Sequence, residues 1–514
     1  MVKIQELPDT VDELRALVAN LSNENETLQK NIFILKRLIF LRKSEKWTKE
    51  DIRQALLFDE AETEDIPEEP VQSEKITYFR RKSGRKPIDK NIPRTDVIHD
   101  LDEKDKTCAC GHELTKIGED TCEKLDIKPA EFKVTRHIHF KYACKHCEGT
   151  SDESKPGVIT KKRDPDIIPK SFVTPGLLAY IFTGKFVDHI PFFRQEKIFR
   201  RLGIELPRAT MCNWAIQVGT ICERLMILMK KELMQSSVLC VDETPFQVMN
   251  EEGKSNLTKS YMWVFRGGTK ENPLVMYEYH PTRSSDALDF LSGFKGKLVS
   301  DGYPVYDKIC NKFRIPHAGC WAHARRKFFD AAKEGKKDSN SEHALKQIQK
   351  LYRVEEIIRE GKLNPESILE LRQNESKPIV LELEKWINSM IKEIVPSGLF
   401  GRALSYTANE FHKLKVYLDD PLLPIDNNLT ENDIRPFVLG RKNWLFSGSP
   451  RGASASSTIY SLIQSAIANG LEPYWYLRYL FERIHLVSRD EELNQLLPNR
   501  ILNENLKSSG YSVV

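Results

Sequence analysis

The sequence predicts a multidomain α/β protein, and three observations carry that prediction. Its 514 residues exceed what a single hydrophobic core serves. From residue 236 onward, short apolar runs of strand character alternate with helical segments. Before residue 236 the chain divides into stretches of sharply different composition. Hydrophobic residues make up 40% and charged residues 30%, which excludes a wholly disordered chain. A net charge of +4 excludes a uniformly basic coat but leaves room for local basic patches. No apolar run approaches the ~20 residues of a membrane helix. The acidic, amphipathic start MVKIQELPDTVDELRAL is unlike a secretion signal. A cytosolic protein with no membrane partner is expected, its ten cysteines reduced.

Residues 1–45 are expected to form a leucine-zipper coiled coil. Leu14, Leu21, Leu28 and Leu35 recur every seventh residue, with Val11, Val18, Asn25, Ile32 and Ile39 at the complementary core positions. β-Branched residues opposite leucine favour two parallel strands, and a lone core asparagine fixes their register. The other reading is a solitary amphipathic helix packed on its own domain. Residues 46–95 form a linker that changes sign. Residues 59–74 hold eight Asp or Glu and no Lys or Arg, whereas residues 75–94 hold eight Lys or Arg against one Asp. Arg85 and Lys86, just before Pro87, suit a short arm lying along a DNA minor groove. As a merely solvated linker, they would still add a sequence-independent phosphate attraction.

Residues 96–155 form a zinc-finger-like module. Cys108, Cys110, Cys144 and Cys147 can make a tetrahedral Zn2+ site, whose binding energy would fold so small a unit. The first pair is Cys-x-Cys, tighter than the usual spacing; His112 and His146 are substitute ligands, and four ordinary cysteines are the alternative. The intervening EKLDIKPAEFKVTRHIHFKYAC alternates like a pair of strands. Residues 156–232 are helical. Within PFFRQEKIFRRLGIELPRATMCNWAIQVG, two helices flank a turn at Leu202-Gly203-Ile204. That resembles a helix-turn-helix, in which Arg208, Thr210 and Asn213 would lead the helix entering a major groove. A plain pair of helices fits the same pattern.

Residues 233–450 carry the chemistry. SSVLCVDETPFQV is an apolar strand with Asp242 at its end, and YMWVFRGG and PLVMYEYH are two more strands. SSDALDFLSGF is expected as a helix capped by Ser284 and Ser285. KLVSDGYPVYD is a short buried strand ending at Asp301, and IPHAGCWAHARRKFFDAAKE runs from a strand end into a helix. That order is the order of an RNase H-like fold. Carboxylates fixed on neighbouring strands can share divalent cations, which favour hard oxygen ligands. Two such ions, Mg2+ or Mn2+, can activate one oxygen and neutralise another in phosphodiester chemistry. Glu431, near the start of a helix in PIDNNLTENDIRPFVLGRKNWLFSGS, would complete the set. Arg435, Arg441 and Lys442 follow closely enough to hold a DNA backbone. Residues 335–420 read as a helical insertion, and residues 451–514 as a C-terminal helical tail.

These words also resemble a known family. VDETPFQV, SDGYPVYD, GCWAHARRKFFDAA, PIDNNLTENDIRPFVLGRKNWLFSGS and ANGLEPYWYLRYLFERI, in that order, are similar to the transposases of the insertion sequence 66 family. KFVDHIPFFRQEKIFRRLGIELPRATMCNW, the leucine-rich start and the cysteine module extend the likeness over nearly the whole chain. The resemblance implies a DDE-type transposase, with Asp242, Asp301 and Glu431 on the three acidic positions. It implies DNA as partner, both element ends and target, with hydrolysis followed by joining of a 3′ hydroxyl. It further implies a homo-oligomer, assembled through the coil, and accessory transposition proteins. Two departures stand out: Asn432 follows Glu431 where the family has arginine, and the first cysteine pair is shortened.

Nearby residues compete for roles. Asp426 is the rival third carboxylate, though it reads as a loop or cap residue. Glu243 should face away from Asp242, because side chains alternate along a strand. Cys320 and His323 match metal-ligand types but cannot close a zinc site alone. His323 is expected as a hydrogen-bond donor to DNA or to a catalytic carboxylate, against a structural histidine. Arg325, Arg326 and Lys327 lie close by, on different helix faces. Trp321 and Trp444 suit base stacking and core packing equally. From other classes, the alternatives are a DNA-binding protein without catalysis and a nuclease that cuts without joining.

Overall fold

The computed structural model describes residues 132–143, 158–162, 165–334, 339–502 and 506. The coil, both halves of the linker with Arg85 and Lys86, and Cys108, Cys110, Cys144 and Cys147 lie outside the described residues. Of the alternating run before Cys144, residues 132–140 form no strand. Among the described residues of that run, β1 (Lys141–Ala143) pairs, antiparallel with β2 (Val158–Thr160).

A helical layer follows: α1 (Pro175–Phe186), α2 (Phe192–Arg201), α3 (Arg208–Ile221) and α4 (Glu223–Leu233). Thr174 caps α1 by accepting the Leu177 N–H at 3.2 Å. Gly203, at φ +81°, makes the turn between α2 and α3, a conformation that glycine takes without strain. Met211, Trp214, Ala215 and Val218 bury one face of α3. Arg208 and Asn213 remain exposed at its start.

The sheet comes next: β3 (Val238–Val248), β4 (Lys259–Gly268), β5 (Pro273–His280), β6 (Lys297–Val299) and β7 (His317–Ala318). Its order is β5-β4-β3-β6-β7. β3, β4 and β5 meander antiparallel, while β6 and β7 run parallel to β3. Leu239, Val241, Phe246 and Val248 of β3 are buried, as befits a central strand covered on both faces. Ser285–Leu291, expected as an α-helix, is a 3₁₀ helix. The Ser284 hydroxyl donates to Asp286 at 3.1 Å and makes no cap hydrogen bond to the backbone. α5 (Pro304–Phe313) then connects β6 to β7.

Beyond β7 the chain is helical: α6 (Trp321–Glu334), α7 (Ser339–Gly361), α8 (Pro365–Leu371), α9 (Lys377–Met390) and α10 (Leu399–Leu414). Trp321, Phe328, Ile348, Leu383, Leu404 and Phe411 form an apolar core of their own there. Trp321, fully buried, donates its indole N–H to the Leu414 carbonyl at 2.9 Å. It is a core residue and not a base-stacking platform. α11 (Asn428–Trp444) and the two-residue strand β8 (Phe446–Ser447) return the chain to β3.

The last segment, expected as a tail, is part of the core. α12 (Pro450–Ala468) lies along β5, the edge strand, and is followed by α13 (Pro473–Arg483) and α14 (Asp490–Asn494). An edge strand presents unpaired backbone groups, and here serine side chains take them up. Ser465 Oγ accepts the Val275 N–H at 2.8 Å and lies 2.9 Å from its carbonyl oxygen. Ser461 Oγ accepts the Tyr277 N–H at 2.8 Å. Ser465→Val would leave both Val275 groups buried and unpaired. A loss of about 2 kcal/mol in unfolding free energy is expected by urea titration; an unchanged midpoint would refute the pairing.

Candidate active site

Strand register brings the two aspartates together. The last β3–β6 pair is Cys240 with Val299. Asp242 lies two residues further along β3, and Asp301 two residues beyond the end of β6, so the two acids stand toward the same end of these neighbouring strands. β6 ends at Val299, and β8 does not join β3 until Gln247. In that gap the Val241 carbonyl has no strand partner, and Asn427 Nδ2 donates to it at 2.9 Å. Asn427 is the residue before α11, so this bond fixes the start of α11 against β3. Glu431 sits one turn later, its N–H donating to the Asn427 carbonyl at 3.1 Å. An acidic side chain in the first turn also complements the helix dipole.

The electrostatics record this convergence. Asp242 is held well above the usual carboxylate range, first by burial and then by the negative charges of Glu243, Glu431 and Asp301. Glu243 has its own partners: Arg283 Nε donates to it at 2.6 Å, and so does the Tyr306 hydroxyl. The Arg283 guanidinium stacks 3.6 Å from the Tyr303 ring centroid. Asp301 Oδ1 accepts the Tyr303 N–H at 3.0 Å, a turn that orients the carboxylate.

Glu431 is 7% exposed, with Arg326 Nη2 3.4 Å from Oε2. His323 Nδ1 stands 3.6 Å from Oε1, beyond hydrogen-bond range. Oε1 is therefore buried without a hydrogen-bond partner. Burial lowers the His323 pKa. Among the described residues, Cys320, His323 and Glu431 are the group of possible metal ligands whose ligand atoms all lie within 4.8 Å of one another; Asp242, Asp301 and Glu431 do not close to that distance. Cys320 is a poor ligand there: burial holds its thiol protonated, and it accepts the Asn427 N–H at 3.2 Å. Asp301 and Glu431 stand near enough for their charge to act on Asp242, and one Glu431 oxygen is buried and unsatisfied; such hard oxygen donors fit a divalent cation in kind.

The rival Asp426 is committed elsewhere. Its Oδ2 accepts the Tyr352 hydroxyl and Asn428 Nδ2, both at 2.9 Å, and its Oδ1 accepts the Asn428 N–H at 3.1 Å. Arg441 reaches the sheet, donating to Thr244 Oγ1 at 3.2 Å. Thr244 shares a strand face with Asp242. Arg325 and Arg435 are half-buried, and Lys442 is exposed in the last turn of α11. Lys327 lies over the Tyr406 ring at 4.8 Å. Trp444 packs at 5.3 Å on Phe437. Sequence reasoning overlooked Arg283, Tyr306 and Asn427. All three stand in or beside the quoted words, but nothing in a one-dimensional pattern marks a side chain that serves a neighbouring strand.

Hard oxygen donors beside guanidinium groups are suited to phosphodiesters, and comparison with known proteins places the chain among transposases. It belongs to the IS66 transposase family: the model described as "Transposase IS66 family" matches residues 170–455, which include Asp242, Asp301 and Glu431. Further matches are "zinc-finger binding domain of transposase IS66" over 105–148 and "IS66 C-terminal element" over 461–499. "Transposase C of IS166 homeodomain" matches 27–97. Two relatives come from Sinorhizobium fredii (strain NBRC 101917 / NGR234). The protein y4qI is 28% identical over 97% of this chain and 98% of its own length. The protein y4jD is 30% identical over 96% of each. Membership makes DNA the partner. Among the described residues, no helix is long and apolar enough to cross a membrane.

Proposed function

We propose that the chain is a DDE-type transposase of an insertion sequence, which binds its element ends, cuts them and joins them to target DNA. The observation that carries this reading is the position of Asp242, buried within the fields of Asp301 and Glu431. The sheet order β5-β4-β3-β6-β7, antiparallel on one side of β3 and parallel on the other, supports an RNase H-like core.

Asp242, Asp301 and Glu431 would hold two divalent ions, Mg2+ or Mn2+. Bound there, the ions supply activation of an attacking oxygen and neutralisation of a departing one. Arg326, 3.4 Å from Oε2, would orient Glu431, with His323 beside it. Arg435, Arg441 and Lys442 grip the DNA backbone, with Arg441 beside the Asp242 face of β3. Arg208 and Asn213 lead α3 into a groove, and Arg325 adds a phosphate contact. In the first stage, a water oxygen bonds to phosphorus and the bond to the 3′ oxygen breaks, freeing a 3′ hydroxyl. In the second, that hydroxyl oxygen bonds to a target phosphorus and displaces the target's own 3′ oxygen. Cys108, Cys110, Cys144 and Cys147 would hold Zn2+, Arg85 and Lys86 would add a minor-groove arm, and residues 1–45 would build the oligomer that holds both ends. Accessory proteins of the element fit the same scheme.

Asp301→Asn is the direct test. Asparagine keeps the size of the side chain and its Oδ1, and with it the bond from Tyr303, but removes the charge. Mg2+-dependent cleavage of element-end DNA should fall on the order of 10³-fold. End binding in a mobility-shift assay should persist. Retained cleavage would refute the assignment.

A further inference from the structure

A chain of polar contacts, buried at both ends and half-buried at Asp307, runs from α10 to the residue before Asp301. Lys413 of α10 is 2% exposed. Its ammonium donates to Glu410 at 2.6 Å and to the two oxygens of Asp307 at 2.9 and 3.0 Å. Burial pulls its pKa down, but the bonds to Glu410 and Asp307 outweigh that and hold it above the usual value. Asp307, on α5, also contacts His317 Nδ1 at 3.0 Å. An ionised carboxylate only accepts, so Nδ1 carries the proton. Nε2 is then the acceptor for Ser300 Oγ, 2.8 Å away. Ser300 is wholly buried; its Oγ lies 3.0 Å from the Asp301 carbonyl oxygen, but with its one proton given to His317 it makes no hydrogen bond there, so the network reaches Asp301 through the backbone of the adjoining Ser300.

Serine, histidine and aspartate in this order also describe a nucleophilic site. Ser300 has 0% exposure, however, so no substrate reaches it. The stability of the fold does not demand the arrangement either, since well-packed apolar side chains commonly replace buried ion pairs without loss. A second contact points to the same place. A Cβ on Gly302 would come within 2.8 Å of the Tyr406 ring and 3.0 Å of the Glu410 carboxyl carbon. α10 therefore presses directly on the residue after Asp301.

We propose that His317 is a positioning residue for Asp301, anchored by Lys413, and that α10 serves to hold this aspartate in cation-binding geometry. The inference rests on the reading of Asp301 as a cation ligand. Groups that orient metal-binding carboxylates typically change metal affinity by about tenfold or more when removed.

The test is Mn2+ binding to the full-length chain without DNA, followed by electron paramagnetic resonance alongside thermal unfolding. Asp301→Asn should weaken binding, and His317→Gln, Ser300→Ala and Lys413→Met should each weaken it about tenfold. Lys413→Arg should restore most of the affinity. Ser300→Ala, the smallest change, should unfold near the wild-type temperature. If Asp301→Asn weakens binding while Ser300→Ala and His317→Gln bind like wild type, the positioning role is overturned and the catalytic reading stands. Weaker binding only in step with loss of folded protein would reduce the network to scaffolding and overturn the proposal. Wild-type protein that binds no Mn2+ would overturn both readings.

Discussion

Asp242→Asn is expected to abolish DNA cleavage, by on the order of 10³-fold or more, while making the metal-free protein more stable at neutral pH. The two effects have one cause. Asp242 is buried, and Glu243, Glu431 and Asp301 add negative charge around it, which drives its pKa well above the usual value. The folded protein therefore binds this proton more tightly than the unfolded chain does. Between the unfolded carboxylate pKa, about 3.9, and the raised folded value, the native state holds more protons. Stability must then fall as pH rises through that window. Asparagine carries no charge to bury, so the variant escapes this penalty. Melting the metal-free wild type and Asp242→Asn from pH 5 to pH 8 should show a downward trend in the wild type that is blunted in the variant. Millimolar Mg2+ should raise the wild-type midpoint, because a ligand that binds only the folded state stabilises it, and should do little for the variant. Parallel curves with and without Mg2+ would mean that Asp242 does not face a cation site.

Much of this arrangement is legible in the sequence because apolar runs leave strong local marks, although Asp242, expected at a strand's end, lies inside β3, which continues to Val248, and Asp301 lies two residues past β6. The apolar runs before Asp242 and Asp301 mark two strands of one sheet, and the order of elements between them leaves few ways to pair. The start of α11 near Asn428 was equally readable. What escaped notice depends on contacts across the fold. Asn427 matters because β6 is too short to cover β3 beyond Val299, a fact about two strand lengths that neither segment contains. Residues after 451 read as a tail because GASASSTIYSLIQSAIA is a weakly patterned helix; its serines have meaning only against the edge of β5. Segment 335–420 was read as helical, but its bearing on Asp301 runs through Lys413, one charged residue among many. Ser284 was misleading: its hydroxyl looked like a cap and instead bonds Asp286.

The second large effect separates two carboxylates five positions apart. Glu431→Gln should reduce cleavage on the order of 10³-fold or more, whereas Asp426→Asn should leave cleavage largely intact and cost about 1–2 kcal/mol of stability. Glu431 stands in the first turn of α11 and Asp426 in the loop just before it, and both are mostly buried, so burial alone cannot distinguish them. Their partners can. Asp426 spends its oxygens on Tyr352 and Asn428. Asparagine in its place keeps one acceptor but loses the carboxylate oxygen that takes the Tyr352 and Asn428 bonds, a loss only partly offset by removing a charge that burial disfavours. Glu431 keeps Oε1 without a hydrogen-bond partner, and its charge is felt at Asp242. Glutamine keeps the shape of the side chain but removes that charge and the contact it makes with Arg326. The cleavage assay with Mg2+, run beside unfolding curves for the two variants, reads both effects at once. The reverse result, with Asp426→Asn inactive and Glu431→Gln active, would move the third carboxylate off the helix and into the loop before it. α11 would then have to shift relative to β3, against the bond that Asn427 makes to Val241.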